Sequence, residues 1–394
     1  MAGPFLSRDH SHYVQLEATW ATSPGGLAAT DAFKTRTKFP FKRIVTRVDR
    51  DKDSDNGQAS VVTTQKGRES AEFSLEGDLI PSGNAATPTE PDMDAFFEAH
   101  FGTKHKATAN TTLTSGSTAT IVNFAVGGVA ASGTQVGDFI TIDVDATFGL
   151  ETRQVITIAT DAVTVHAAFS AAPASGRNVY CGTTYRLSAA ALKSVHIWEY
   201  LSGNNFRHKV GGCAVQQLKA DFDATGEAPL ATVTVAGPGE KIATHSTSIP
   251  TPTSAGQPLL PDKSYAWFGA TKTCVTKVGI ESNNGIELRS NESCSLFPTA
   301  VKRTGNDSRY SIMATLEALL VTGAIEGYFD NAAALTAYDI LVQLGATQGK
   351  IVAWRTPKFI PDAEVGDTDG EVSIALSGRA YATTVDDEIT FFFG

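Results

Sequence analysis

The residues most able to do chemistry in this chain are its alternating carboxylates. Asp51, Asp53 and Asp55 stand at every second position of Asp49-Arg50-Asp51-Lys52-Asp53-Ser54-Asp55-Asn56-Gly57, the spacing of the first ligands of a calcium loop. The glycine of that motif belongs at position six and a glutamate at position twelve; here Gly57 is seventh and Val62 twelfth. The segment therefore reads as a solvated Asn-Gly hairpin tip between the strands Arg43–Val48 and Ala59–Thr64. Asp143 with Asp145, and Asp367 with Asp369, are carboxylate pairs lacking further ligands. His196, Trp198 and Tyr200 share one face of a strand, as a packed or interface cluster would. Gly127, Gly128 and Gly133 are followed by no Gly-Lys-Ser/Thr, so they form no phosphate loop. Neither HExxH nor GxSxG occurs, and Cys181, Cys213, Cys274 and Cys294 form no CxxC pair. These residues predict no enzyme, no cofactor and no metal centre.

The second set of carboxylates lies on a strand. In Ala71-Glu72-Phe73-Ser74-Leu75-Glu76-Gly77-Asp78-Leu79-Ile80, apolar and acidic positions alternate, which describes a half-buried strand with an acidic outer face. A helix is predicted from Pro91 through Phe96, Phe97 and Phe101 to Gly102, with Asp92 and Asp94 at its positive end. The same order recurs. Tyr310 to Leu320 repeats the strand, carrying Thr315 and Glu317, and Leu335 to Gly345 is read as the second helix. A strand pair follows each helix, Ala214 to Ala236 in one half and Ile351 to Ala380 in the other. The chain thus reads as a tandem duplication.

With 394 residues the chain has room for two or three cores. Its 35 glycines and abundant Thr, Ser and Val favour strands and turns. Expected are an N-terminal arm (1–40), a first domain (41–106 and 184–244), a small β-domain inserted into it (107–183), a Pro-rich linker (245–262) and a second domain (263–394). No apolar run reaches the ~20 residues of a membrane span, and no secretory signal is visible at the N-terminus, so synthesis in a reducing cytoplasm is expected. A net charge of -10 disfavours a protein that grips nucleic acid, which needs clustered Lys and Arg.

The order of hairpin, acid-faced strand, helix and strand pair resembles the major tail tube proteins of long-tailed bacteriophages. Glu72 to Ile80 with its helix, and Lys209-Val210-Gly211-Gly212-Cys213-Ala214-Val215-Gln216-Gln217-Leu218 returning through Thr232-Val233-Thr234-Val235-Ala236-Gly237, carry the likeness. It covers both repeats but not the arm, the linker or 107–183. The resemblance implies mainly β architecture: two tandem β-sandwich or barrel domains, each with a flanking helix, whose inner sheets join into rings. Rings of six such domains stack into a hollow tube in the virion tail, assembled in the host cytoplasm. With two domains per chain, the ring is a trimer of pseudo-hexameric shape. Its partners are other copies, the tape measure, terminator and distal tail proteins, and genomic DNA in transit. Glu72, Glu76, Asp78, Thr315 and Glu317 are then expected to line the lumen. Asp51, Asp53, Asp55 and Asn56, with Asn283 and Asn284 in a second hairpin at 281–286, are expected between stacked rings, and the arm and linker between subunits or rings. Competing expectations are a multi-domain β-protein that recognises a glycan or host surface through 107–183, or a hub or terminator ring that does not polymerise.

Overall fold

A computed structural model describes residues 10–50, 63–81, 86–188, 192–201, 206–224, 231–252, 256–259, 263–268, 271–289, 295–303, 311–319, 330–368 and 371–394. The fold is mainly β, 53% strand against 7% helical, in several antiparallel sheets. The largest sheet has 14 strands. Eight of them form its spine: β1 (Phe41–Arg50), β2 (Thr63–Asp78), β3 (Gln217–Asp223), β4 (Thr232–Gly239), β5 (Lys277–Asn283), β6 (Ser311–Leu319), β7 (Lys350–Thr368) and β8 (Glu371–Ala380). Across the sheet they run β1-β2-β4-β3-β5-β6-β8-β7. The first four and the last four follow the same order, and β3 pairs with β5 to join the two units.

The register fixes which residues correspond. Leu75 of β2 faces Val235 of β4, and Leu316 of β6 faces Leu376 of β8. Superposing those pairs carries Gly237 onto Gly378. A Cβ at Gly237 would run into the carbonyl oxygen of Ala214, and one at Gly378 into that of Ile360. Both units thus need a glycine at the same crossing, where a neighbouring backbone comes too close for a side chain.

One core serves both units. The helix α1 (Asp94–Phe101) buries Phe96, Phe97 and Phe101 on the sheet and ends at Gly102, whose φ of 90° suits a residue without Cβ. Its aromatic ridge meets the end of the chain. Phe97 lies 4.9 Å from Phe393 and 5.4 Å from Phe391 between ring centroids, on the strand Thr390–Phe393. That strand pairs on one side with Thr183–Leu187 and on the other with β7.

Two expectations are revised, and the arm and linker are seen docked on their own chain. The stretch read as a second helix, Leu335 to Gly345, is instead largely the strand Tyr338–Thr347, paired with β7. The hairpin at 281–286 does not form, because Ile286–Arg289 pairs with Ala300–Arg303 and leaves β5 between β3 and β6. The described part of the arm is part of the fold: His10–Leu16 pairs along its whole length with Val195–Leu201 in a five-stranded sheet. Finally, the linker lies along the first unit, where the Pro250 carbonyl accepts the Tyr13 hydroxyl at 2.6 Å and Leu259 is buried.

Within 107–183 six strands form a sheet whose end strands are bridged by Leu113 and Phe124, closing it into a small barrel with its own apolar core. Closure leaves no sheet edge to pair with another chain. The barrel is seated on the second unit. Gln343 accepts the Thr152 amide at 2.9 Å and donates to the Leu150 carbonyl at 3.0 Å, while Arg355 donates to Gln154 at 2.6 Å. Beside them the buried Arg153 guanidinium lies 4.5 Å from the centre of the Trp267 ring and 3.2 Å from the Glu151 carboxylate. Removing Glu151 would leave the Arg153 guanidinium without its carboxylate, whereas on loss of Arg153 the Glu151 carboxylate would keep Lys272 at 3.2 Å.

Candidate functional surface

Period-two alternation gives the spine two unlike faces. On β2 the side chains of Ala71, Phe73 and Leu75 are buried, while Glu72, Ser74 and Glu76 are exposed and Asp78 is half-buried. β3 and β5 continue the pattern, with Leu218, Ala220, Phe222, Val278 and Ile280 inward and Lys219, Asp221, Lys277 and Glu281 outward.

Around β2 and at the junction the outward face holds cations close to carboxylates, whereas Arg379 of β8, exposed on the same face, stands over the Tyr381 ring. Lys42 lies 3.2 Å from Glu72, and Arg36 pairs with Asp78 and lies 3.7 Å from Glu76. Within β3 Lys219 meets Asp221 at 2.7 Å, and across the junction Lys277 meets Asp223 at 3.6 Å and Gln217 donates to Glu281 at 2.7 Å. Exposed pairs of this kind add little to stability. Their consequence is electrostatic: a lysine already beside a carboxylate offers a passing phosphate a weak partner. Further along the face, Asp362 and Glu364 of β7 are exposed.

Glu72, Glu76 and Asp78 therefore share one surface. Thr315 and Glu317 belong to β6 by backbone pairing, but their side chains lie outside the described residues, as do Asp51, Asp53, Asp55 and Asn56 altogether. Asn283 is half-buried at the end of β5. Asn284 is fully buried and spent within the chain, donating its side-chain amide to the Val215 carbonyl at 2.7 Å and its backbone N–H to Gln216.

Of a second concentration of polar groups only His196 was singled out by the sequence, because the cluster joins segments nearly two hundred residues apart. The Glu17 carboxylate is buried against Val195–Leu201 and accepts from Ser194 at 2.6 Å, the Gly212 amide at 2.9 Å and the His196 ring at 3.0 Å. Nearby, Glu199 is buried with its Oε1 unpartnered, and burial pushes its carboxyl up to about 7. Burial, helped by His10, holds His12 down at about 3; burial, with Lys209 and Arg207, holds His245 at about 4. Among the described residues no cluster of three or more His, Cys, Asp or Glu could hold a metal ion. Burial raises the thiols of Cys181, to about 11, and Cys213, which leaves them poor nucleophiles at neutral pH. No helix among these residues is long and apolar enough to cross a membrane.

No protein-family model and no curated protein matches the chain. What the outward face does must therefore be argued from its own geometry.

The histidines give this region a signed pH response. A histidine whose folded pKa is depressed binds fewer protons than the unfolded chain, so it loses stability as pH falls below the ordinary 6.5. For His12 this amounts to about 2 kcal/mol between pH 6.5 and about 5, before most carboxylates titrate. Glu199, with its raised pKa, acts oppositely, contributing stability that is lost as pH rises toward 7. His245 and His166, the latter also depressed by burial, reinforce His12, so the balance favours destabilisation by acid. Urea unfolding at the two pH values should show a smaller drop for His12→Phe than for the wild type. An equal drop in both would place the response elsewhere.

Proposed function

We propose that this chain is a structural subunit that assembles with itself into rings and stacks them into a hollow tube, as the major tail tube proteins of long-tailed phages do. One observation carries the reading: two four-stranded units of identical strand order lie side by side in a single sheet, joined β3 to β5. A head-to-tail contact made once within a chain can be repeated between chains, and repetition around an axis closes a ring. Three chains then supply six equivalent units. The outward face with Glu72, Glu76 and Asp78 is the surface offered to the lumen, where neutralised lysines and spare carboxylates let DNA slide past. Partners are other copies and the proteins that end or fill the tube, in a virion tail.

Recognition of a glycan or host surface by the inserted barrel has less support. Phe139 and Phe169 are buried and Tyr180 is half-buried; Phe148 alone is exposed, so no broad aromatic platform is presented there.

Negative-stain microscopy of the purified protein at rising concentration tests the proposal. Tubes of stacked annuli are expected. Isolated rings would favour a hub or terminator, and a monomer at every concentration would reject self-assembly.

A further inference from the structure

The spine ends at strands that are each paired along one side only. Among the described residues β1 pairs with β2 alone, and β7 beyond Phe359 pairs with β8 alone. An open edge is a template for another strand. Within the chain, the positions corresponding to these edges are the ones that β3 and β5 use to join the units.

The correspondence is residue by residue. Ala363 faces Leu376 as Leu218 faces Val235, so β7 stands where β3 stands and Val365 corresponds to Ala220. Phe41 faces Phe73 as Ile280 faces Ala314, so β1 stands where β5 stands and Lys42 corresponds to Glu281. In the internal junction Ala220 faces Ile280 and Lys219 faces Glu281. Transposed, Val365 faces Phe41 and Glu364 faces Lys42, which keeps the apolar pair apolar and inverts the charge pair without losing it.

Exposure agrees with a missing partner. Ala220, Val278 and Ile280 are each 1–2% exposed, whereas Val365 is 52% exposed and Phe39, just before β1, 59%. Beside Phe39 and Phe41 opens a cleft of about 420 Å³, lined further by Arg43, Phe206, His208 and Ile242, with Glu199, whose Oε1 has no partner, in its wall. At the matching place in the internal junction, Ser282 is covered and bonded to His100 of α1 at 2.7 Å.

We propose that β7 of one chain pairs antiparallel with β1 of a second copy in the β3–β5 register, setting Val365 on Phe41 and Glu364 beside Lys42, and closing the Glu199 cleft. The interface is heterologous, so each copy keeps one free end of each kind until a ring closes. This rests on the self-assembly proposed above and adds which surfaces meet and in what register.

The test uses the full chain with Cys274→Ser and Cys294→Ser, which removes two native thiols outside the buried pair. Phe41→Cys and Val365→Cys are prepared separately, and each alone should stay monomeric on a non-reducing gel after mild oxidation. Mixed, they should give a covalent dimer, and the double variant a ladder of higher multiples. Phe41→Cys mixed with Ala363→Cys, two residues out of register, should cross-link at least tenfold more slowly. Faster cross-linking at Ala363 would overturn the register, and dimers of a single variant would overturn the head-to-tail polarity, both leaving self-assembly intact. Light scattering on the unsubstituted chain separates these outcomes from failure of the assembly itself: a strict monomer would remove both. Should Phe41→Cys misfold, exchanging charges serves instead. Lys42→Glu and Glu364→Lys should each weaken association severalfold, and combining them should restore it; no restoration overturns the pairing.

Discussion

Replacing Phe97 by alanine is expected to lower folding stability by about 3–5 kcal/mol, the cost of emptying a large aromatic site in a core that relaxes only partly. Few positions in the chain join as much. Phe97 is 1% exposed, and its ring has Phe101, Tyr185, Phe391 and Phe393 for neighbours. Two of these belong to the last strand of the chain, the other two to the first unit. The loss should therefore be felt by both units at once. In urea, tryptophan fluorescence has reporters on either side, Trp198 in the five-stranded sheet and Trp267 and Trp354 beyond the linker. A single transition moving as a whole to lower urea is expected. Two transitions, only one of them displaced, would mean that the units hold separate cores. Val385, 87% exposed, supplies the control: its truncation to alanine should change stability by less than about 0.5 kcal/mol.

How much of this was legible in the sequence depends on whether a residue's neighbours are close in the chain. β2 could be read because its alternation is strict and its buried face is local. The helix at Phe97 could be read because Pro91, Asp94 and Gly102 mark its ends. The second helix could not be told from a strand by pattern alone. Ile340, Leu341, Val342, Gln343 and Leu344 are all buried, so both faces of that strand are covered and the period-two signal vanishes. Its β-branched and aromatic members, Tyr338, Ile340 and Val342, were the surviving cue. Asn283-Asn284-Gly285 carries hairpin chemistry, yet Asn284 spends its amide on Val215, a partner no local rule supplies. The strand at His10–Leu16 needed its mate at Val195–Leu201, and the Glu17 and Glu199 carboxylates became visible only with that pairing. The repeated order of strand and strand pair was legible, without the helix assigned to the second copy, though the junction between β3 and β5 required the register.

If the outward face lines a DNA channel as proposed, reversing Glu72 and Glu76 together, as Glu72→Lys/Glu76→Lys, is expected to make that face hold DNA. In the native chain Glu72 stands beside Lys42 and Glu76 beside Arg36, so each reversal removes an acid; the first also frees Lys42, while Arg36 keeps Asp78. With three chains in a ring, as proposed, six new lysines and three released Lys42 side chains would surround the passing duplex. Each phosphate neutralised releases condensed counterions, and with six to ten contacts affinity falls by about 10³–10⁵ between 50 and 200 mM salt. Assembled variant tubes should therefore retain duplex DNA at low salt and release it steeply as salt rises, while native tubes bind little at either. Assembly itself should persist, because both positions point away from the core and exposed ion pairs contribute little to stability. Ejection from particles carrying the variant should slow most in dilute buffer. If the variant assembles, yet neither DNA retention nor its salt dependence changes, then the face bearing Glu72 and Glu76 does not line the channel, and the opposite surface of the ring must.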